Sequence, residues 1–117
     1  MGLVEAFANG LLRITLTRRP PGVRLEGEID MTNAPAVRRA LAAVIESHPD
    51  LADLHVDLER LEFIDVEGLR LLVDTARKLA GGRRLVLRAT PPYLSTMLSL
   101  ANWEQTPGLR VRGGVAT

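Results

Sequence analysis

A strand that runs directly into a capped helix constrains this chain more than any other stretch. Leu61 to Leu72 reads L-E-F-I-D-V-E-G-L-R-L-L. Phe63 and Ile64 close an apolar segment, and Leu69, Leu72, Val73 and Ala76 then recur at helical spacing. Asp65 stands between the two. Aspartate is a favoured N-cap there because its carboxylate accepts from the unpaired N–H groups of the first helical turn. Val66, Glu67 and Gly68 form that turn, where the helix dipole favours the charge of Glu67 by about 0.3 to 1 kcal/mol. Helix-start chemistry alone therefore accounts for Asp65 and Glu67.

A chain of 117 residues with 46% hydrophobic side chains is one domain by length and buries a real core. Aromatic residues make up only 3%, so that core is built from Leu, Val, Ile and Ala. The absence of cysteine excludes disulfides, thiolate catalysis and Cys-ligated zinc, and fits a reducing compartment. Fifteen basic and fourteen acidic side chains give a net charge of +1, which argues against nucleic acid as the main partner. Apolar runs such as Leu41 to Ile45 fall far short of the ~20 residues of a membrane span. The start, M-G-L-V-E-A-F-A-N-G, lacks the basic opening of a signal peptide and carries Glu5, so the expected location is cytoplasmic without membrane insertion.

Taken in order, Leu11 to Arg18 and Val23 to Ile29 both alternate apolar and polar residues, and R-P-P-G at Arg19 to Gly22 separates them. This pattern predicts two antiparallel strands, with Gly27 marking a bulge or a close backbone approach. Asp30 to Pro35, D-M-T-N-A-P, has the features of a helix entry capped by Thr32 or Asn33. Val37, Leu41, Val44 and Ile45 give the helix its apolar stripe, and His48-Pro49 ends it. Leu54 to Leu58 is the third strand, extended by Phe63-Ile64 beyond a kink at Glu59 to Glu62. The helix from Val66 is expected to reach about Ala80 and stop at Gly81-Gly82. Leu85 to Ala89 forms a strand whose run Leu85-Val86-Leu87 implies burial on both faces. A helix from Pro91-Pro92 buries Leu94, Met97, Leu98 and Ala101, Trp103 fills the core edge, and Leu109 to Arg112 is a last short strand.

The resulting order, β-β-α-β-α-β-α-β, is that of an α/β fold: a mixed, mostly parallel sheet with helices packed on it. The whole chain, 1–117, is expected to be one domain with a core at about 11–112 and short tails. In such sheets the loops after the strand ends share an edge, which places the Asp30 to Asn33 loop beside the Asp65 to Gly68 turn. His48 and His55 lack partners at metal-ligand spacing, and no phosphate-binding glycine loop or nucleophile–base pair is present. No metal, cofactor or enzymatic activity is therefore expected.

The blocks G-E-I-D at Gly27 to Asp30, T-N-A-P at Thr32 to Pro35, H-V-D-L at His55 to Leu58 and F-I-D-V-E-G-L at Phe63 to Leu69 resemble, in this order, those of a STAS domain of the anti-sigma factor antagonists. The resemblance spans about Leu12 to Val111. It implies the STAS fold and a role in bacterial transcription regulation. In the family a serine-kinase anti-sigma factor phosphorylates the second serine of D-S-S-G; the unmodified antagonist binds it and frees the sigma factor, and the phosphorylated form lets go. Phosphate adds about −1.5 to −2 of charge, so a helix N-terminus is a sensible switch point.

Here Val66 stands at the first serine and Glu67 at the phosphosite, so the usual phosphoswitch is absent at that residue. Glu67 either imitates the phosphorylated state in part or stabilises a helix start in a module whose regulation was lost. What the resemblance implies is a protein-interaction module that binds an anti-sigma factor or related serine kinase through Asp30, Thr32, Asn33, Asp65, Val66, Glu67 and Gly68. Leu69 is expected in the core. The alternative is an accessory or scaffold STAS subunit of a transport or stress-signalling complex, and self-association into a homodimer is compatible with either.

Overall fold

Alternating apolar residues organise the first three strands of the chain, whose computed structural model describes residues 4–79 and 81–113. The strands are β1 (Val4–Ala8), β2 (Leu12–Arg18) and β3 (Pro21–Ile29), paired antiparallel in sequence. Leu12, Ile14, Val23, Leu25 and Ile29 point inward and are almost fully buried. The first of these strands lies in what the sequence reading treats as an N-terminal tail. Its hairpin is fixed by Asn9, whose Oδ1 accepts from the N–H groups of Leu11 and Leu12, each at 2.8 Å. Asn-Gly at Asn9-Gly10, between apolar-containing runs, is a strong hairpin signal and could have located it. Of the C-terminal tail expected at Gly113 to Thr117, Gly113 instead ends the last strand, paired with Thr90, and 114–117 lie outside the described residues.

The remaining elements are α1 (Ala34–Ser47), β4 (Asp53–Asp57), β5 (Leu61–Ile64), α2 (Val66–Lys78), β6 (Arg84–Thr90), α3 (Pro92–Leu100) and β7 (Leu109–Gly113). They form one seven-stranded sheet of order β1-β2-β3-β4-β6-β7, with β5 also pairing β3. From β3 onward the pairings are parallel. β4 takes Gly22 to Arg24 of β3, and β5 takes Gly27 to Ile29. The two short strands thus lie in series along one neighbour, as expected of a kinked third strand. The kink is at residues 58–60, where the Leu58 carbonyl accepts from Leu61 N–H at 3.1 Å, so Leu61 already belongs to the second piece.

Gly27 is both things its position suggested. Its φ of +108° suits glycine, an added Cβ would stand 2.1 Å from the Leu11 carbonyl oxygen, and the β3–β5 register shifts beside it. That bulge brings the end of β3 into line with β5.

All three helices pack on one face of the sheet, where their apolar stripes join Leu54, Val56, Leu85 and Leu87 in a single core. In α2 the stripe Leu69, Leu72, Val73 and Ala76 is completely buried, each large side chain contributing about 1.5 to 3 kcal/mol of hydrophobic stabilisation. Val86 is buried too, but outside that core, on the face where no described helix lies. Two helix ends and the burial of one residue differ from expectation. α2 ends at Lys78 because Leu79 turns in extended conformation to pack against the core, and Gly81 and Gly82, with positive φ, reverse the chain afterwards; Ala80 lies outside the described residues. Ala101, expected in the α3 stripe, is exposed because the helix stops at Leu100. Phe63, expected in the apolar segment, is 49% exposed.

Candidate functional site

The carboxyl end of β3 and the start of α2 meet at one edge. Asp65 N–H donates to the Ile29 carbonyl at 3.1 Å, which ties the two loops together as the crossover argument requires. Asp65 caps α2 as expected: its backbone is extended, and its Oδ1 accepts from Gly68 N–H at 2.8 Å.

Gly68 itself is buried against the sheet. An added Cβ would come within 2.8 Å of Ile29 Cγ2 and 2.9 Å of Ile64 Cγ1. The close approach that glycine permits here is therefore between α2 and its own sheet, and Gly68 offers no surface to a partner. It seats the helix start so that Val66 and Glu67 project outward, with Val66 51% exposed and Glu67 exposed beside it.

The β3–α1 loop is held from within. Asn33 occupies the cap position of α1 but makes no side-chain cap, and its φ and ψ of −113° and −4° are not those of an N-cap. It is 1% exposed, its Oδ1 accepts from Asp30 N–H at 3.0 Å, and its Nδ2 donates to the Glu28 carbonyl at 2.9 Å. Asn33 therefore pins the loop, and its amide is turned away from the surface where a partner would sit. Thr32 does not cap the helix either; its hydroxyl and its N–H both donate to Asp30 Oδ1. Those two bonds, the hydroxyl first, hold the Asp30 carboxyl below its ordinary pKa.

With Asn33 and Gly68 inside, the outward residues are Asp30, Thr32, Asp65, Val66 and Glu67, together with three that the sequence reading did not include. Met31 is 72% exposed at the loop tip, Phe63 faces solvent beside Glu28 in register, and Tyr93 at the start of α3 is partly exposed with its hydroxyl beside the Ile64 backbone. Burial raises the Tyr93 hydroxyl pKa, against the opposing effect of that backbone contact. The same segments carry four carboxylates, of Glu28, Asp30, Asp65 and Glu67, and none forms an ion pair among the described residues. An apolar residue between polar ones, as in D-M-T, was a legible hint for Met31. Phe63 is exposed because it precedes core-facing Ile64 and so points to the face without helices, and Tyr93 precedes the buried Leu94 in the first turn of α3.

A groove of about 380 Å³ lies at the opposite end of α1, lined by residues including Arg18, Ser47 and His48. The edge just described instead exposes apolar and acidic side chains, a combination suited to a macromolecular partner. No helix among the described residues is long and apolar enough to cross a membrane.

Residues 12–111 match the protein family described as Mlab, STAS domain. Among solved structures, this chain is similar to an anti-sigma factor antagonist from Mycobacterium paratuberculosis, at 27% identity and a TM-score of 0.65. The alignment covers 92% of this chain and 83% of that one. No curated protein gives a significant match.

Proposed function

The chain belongs to the STAS domain family and has the antagonist fold, and from that premise we propose that it is a cytoplasmic interaction module of the anti-sigma factor antagonist kind. Its partner is an anti-sigma factor or a related serine kinase, met at the β3–α1 loop and the start of α2. The observation that carries the reading is the edge itself: Met31, Phe63 and Val66 are exposed on segments that also bring Glu28, Asp30, Asp65 and Glu67, none in an ion pair among the described residues. Large apolar side chains grouped on a surface mark protein contact, and the carboxylates suit a basic rim on the partner.

Binding here is not switched by phosphate at the usual position. Glu67 has no hydroxyl, and it holds one fixed charge in the first turn of α2 where family members carry a reversible, larger one. Asp30 and Asp65 supply charge at the surface, while Asn33 and Gly68 act by shaping it. Co-expression and pull-down with kinase-type anti-sigma factors from the same genome test the reading. Retention of one such protein by the natural chain, lost in M31D and V66D, supports it; no retention by either the natural chain or E67S sinks it.

The residue at position 67 also favours a second reading, an accessory or scaffold subunit of a transport or stress-signalling assembly, since such a role needs no reversible charge. Genes for a transporter ATPase beside this one, or a native mass of several copies, would support that role over the antagonist one.

A further inference from the structure

β7 ends the sheet, and its outer edge has no partner strand among the described residues. The sequence L-R-V-R alternates strictly: Leu109 and Val111 pack against the core, while Arg110 and Arg112 stand exposed on the face without helices. The Gly108 carbonyl points inward and accepts from Leu85 N–H at 2.7 Å. Strand alternation then turns the N–H and C=O of Val111 outward, as open ladder positions. Such an edge templates a further strand unless its side chains forbid it. Parallel strands are normally covered on both faces, and here no described helix contributes to the core from the face of Arg110 and Arg112.

The charges decide which strand is admitted. Arg88 on β6 shares the face with the two β7 arginines, and its register partner Asp57 is engaged by Arg24, Nε to Oδ2 at 3.3 Å. Arg84 is paired with Asp53 at 3.1 Å. Arg88, Arg110 and Arg112 have no ion pair among the described residues. The charges of Arg88 and Arg112 act on His55 of β4, whose Nδ1 is buried without a hydrogen-bond partner among the described residues. Burial first, then Arg88 and Arg112, keep that imidazole below its ordinary pKa, with Asp53 acting in the other direction. A second copy of β7 would set arginine against arginine, which cross-strand pairing disfavours. A strand with carboxylates at alternate positions would set them beside Arg110 and Arg112 and its apolar residues beside Leu109 and Val111.

We infer that the β7 edge is a docking site for an extended segment of a partner protein, alternately acidic and apolar, that adds to the sheet as a further strand. The site is separated from β3 by β4 and β6, so it does not depend on the edge at Val66. The test is titration of the ¹⁵N-labelled full chain with a synthetic peptide of alternating glutamate and valine, against a lysine–valine peptide of equal length. The acidic peptide is expected to shift and protect amides from Leu109 to Gly113. R110E/R112E should weaken it about tenfold or more and admit the lysine peptide instead. If charge reversal disturbs the fold, R110Q/R112Q gives the same direction for the acidic peptide. Absence of binding, binding unchanged in either variant, shifts confined to other elements, or equal perturbation of β7 by an anionic vesicle or a DNA oligonucleotide each overturns the inference.

Discussion

Replacing Asn33 separates two roles that the sequence alone does not distinguish. As a helix cap, asparagine and aspartate are nearly equivalent, so N33D would be close to neutral. As a loop pin, Asn33 must donate from Nδ2 to the Glu28 carbonyl and accept at Oδ1 from Asp30 N–H, at 2.9 and 3.0 Å, from a site only 1% exposed. N33A removes both bonds. A buried unsatisfied group costs about 1–3 kcal/mol, and because water reaches the half-exposed Asp30 end, a total of about 2–4 kcal/mol is expected. N33D keeps the acceptor but turns an oxygen towards the Glu28 carbonyl and buries a charge beside Asp30, so at neutral pH it should cost at least as much. Below about pH 4 the introduced carboxyl can donate again, and the difference between N33D and the natural chain should shrink. Urea unfolding of the three proteins, with coincident transitions by two probes, measures this. An N33D stability within about 0.5 kcal/mol of the natural chain at neutral pH would refute the pinning role.

D65A removes the cap on Gly68 N–H and should cost about 1 kcal/mol in the same assay, and it should increase amide exchange in the first turn of α2. G68A gains up to about 1 kcal/mol of helix propensity but forces a methyl against Ile29 and Ile64. Overpacking of this kind costs about 1–3 kcal/mol, so a net loss near 1 kcal/mol is expected, read as a lowered Tm. His55 titrates below its ordinary value when folded, so on acidification the unfolded chain takes up this proton first. Its contribution is present above about pH 6.5, declines as the pH falls towards the folded pKa and then levels off. H55Q should flatten that part of a stability-versus-pH curve.

Element order from β2 onward, with β4 and β5 read as one kinked strand, the parallel core of the sheet and the meeting of the two loops were legible because they rest on periodicity, caps and crossover length. β1 instead falls where the sequence reads as a tail. The Asp65 cap is local chemistry and could be read from one residue. Asn33 could not, since a cap and a pin present the same residue type before a helix, and only the position of the Glu28 carbonyl decides between them. Gly68 is ambiguous in the same way: glycine at a helix start suits close approach, but whether to a partner or to Ile29 depends on tertiary packing. Phe63 and Tyr93 show a further limit, because which of two adjacent apolar residues meets the core, Phe63 or Ile64 and Tyr93 or Leu94, is settled by register and packing. Glu67 needed no structure to be informative, because the chemistry it lacks is visible in its formula.

The most direct test of docking without a phosphoswitch is the affinity of the natural chain for a kinase-type anti-sigma partner, measured by titration before and after incubation with that partner and Mg-ATP. The expected result is an affinity unchanged by ATP and a chain that acquires no phosphate, while M31D and V66D weaken binding in both conditions. Phosphorylation of the natural chain accompanied by loss of binding would contradict it.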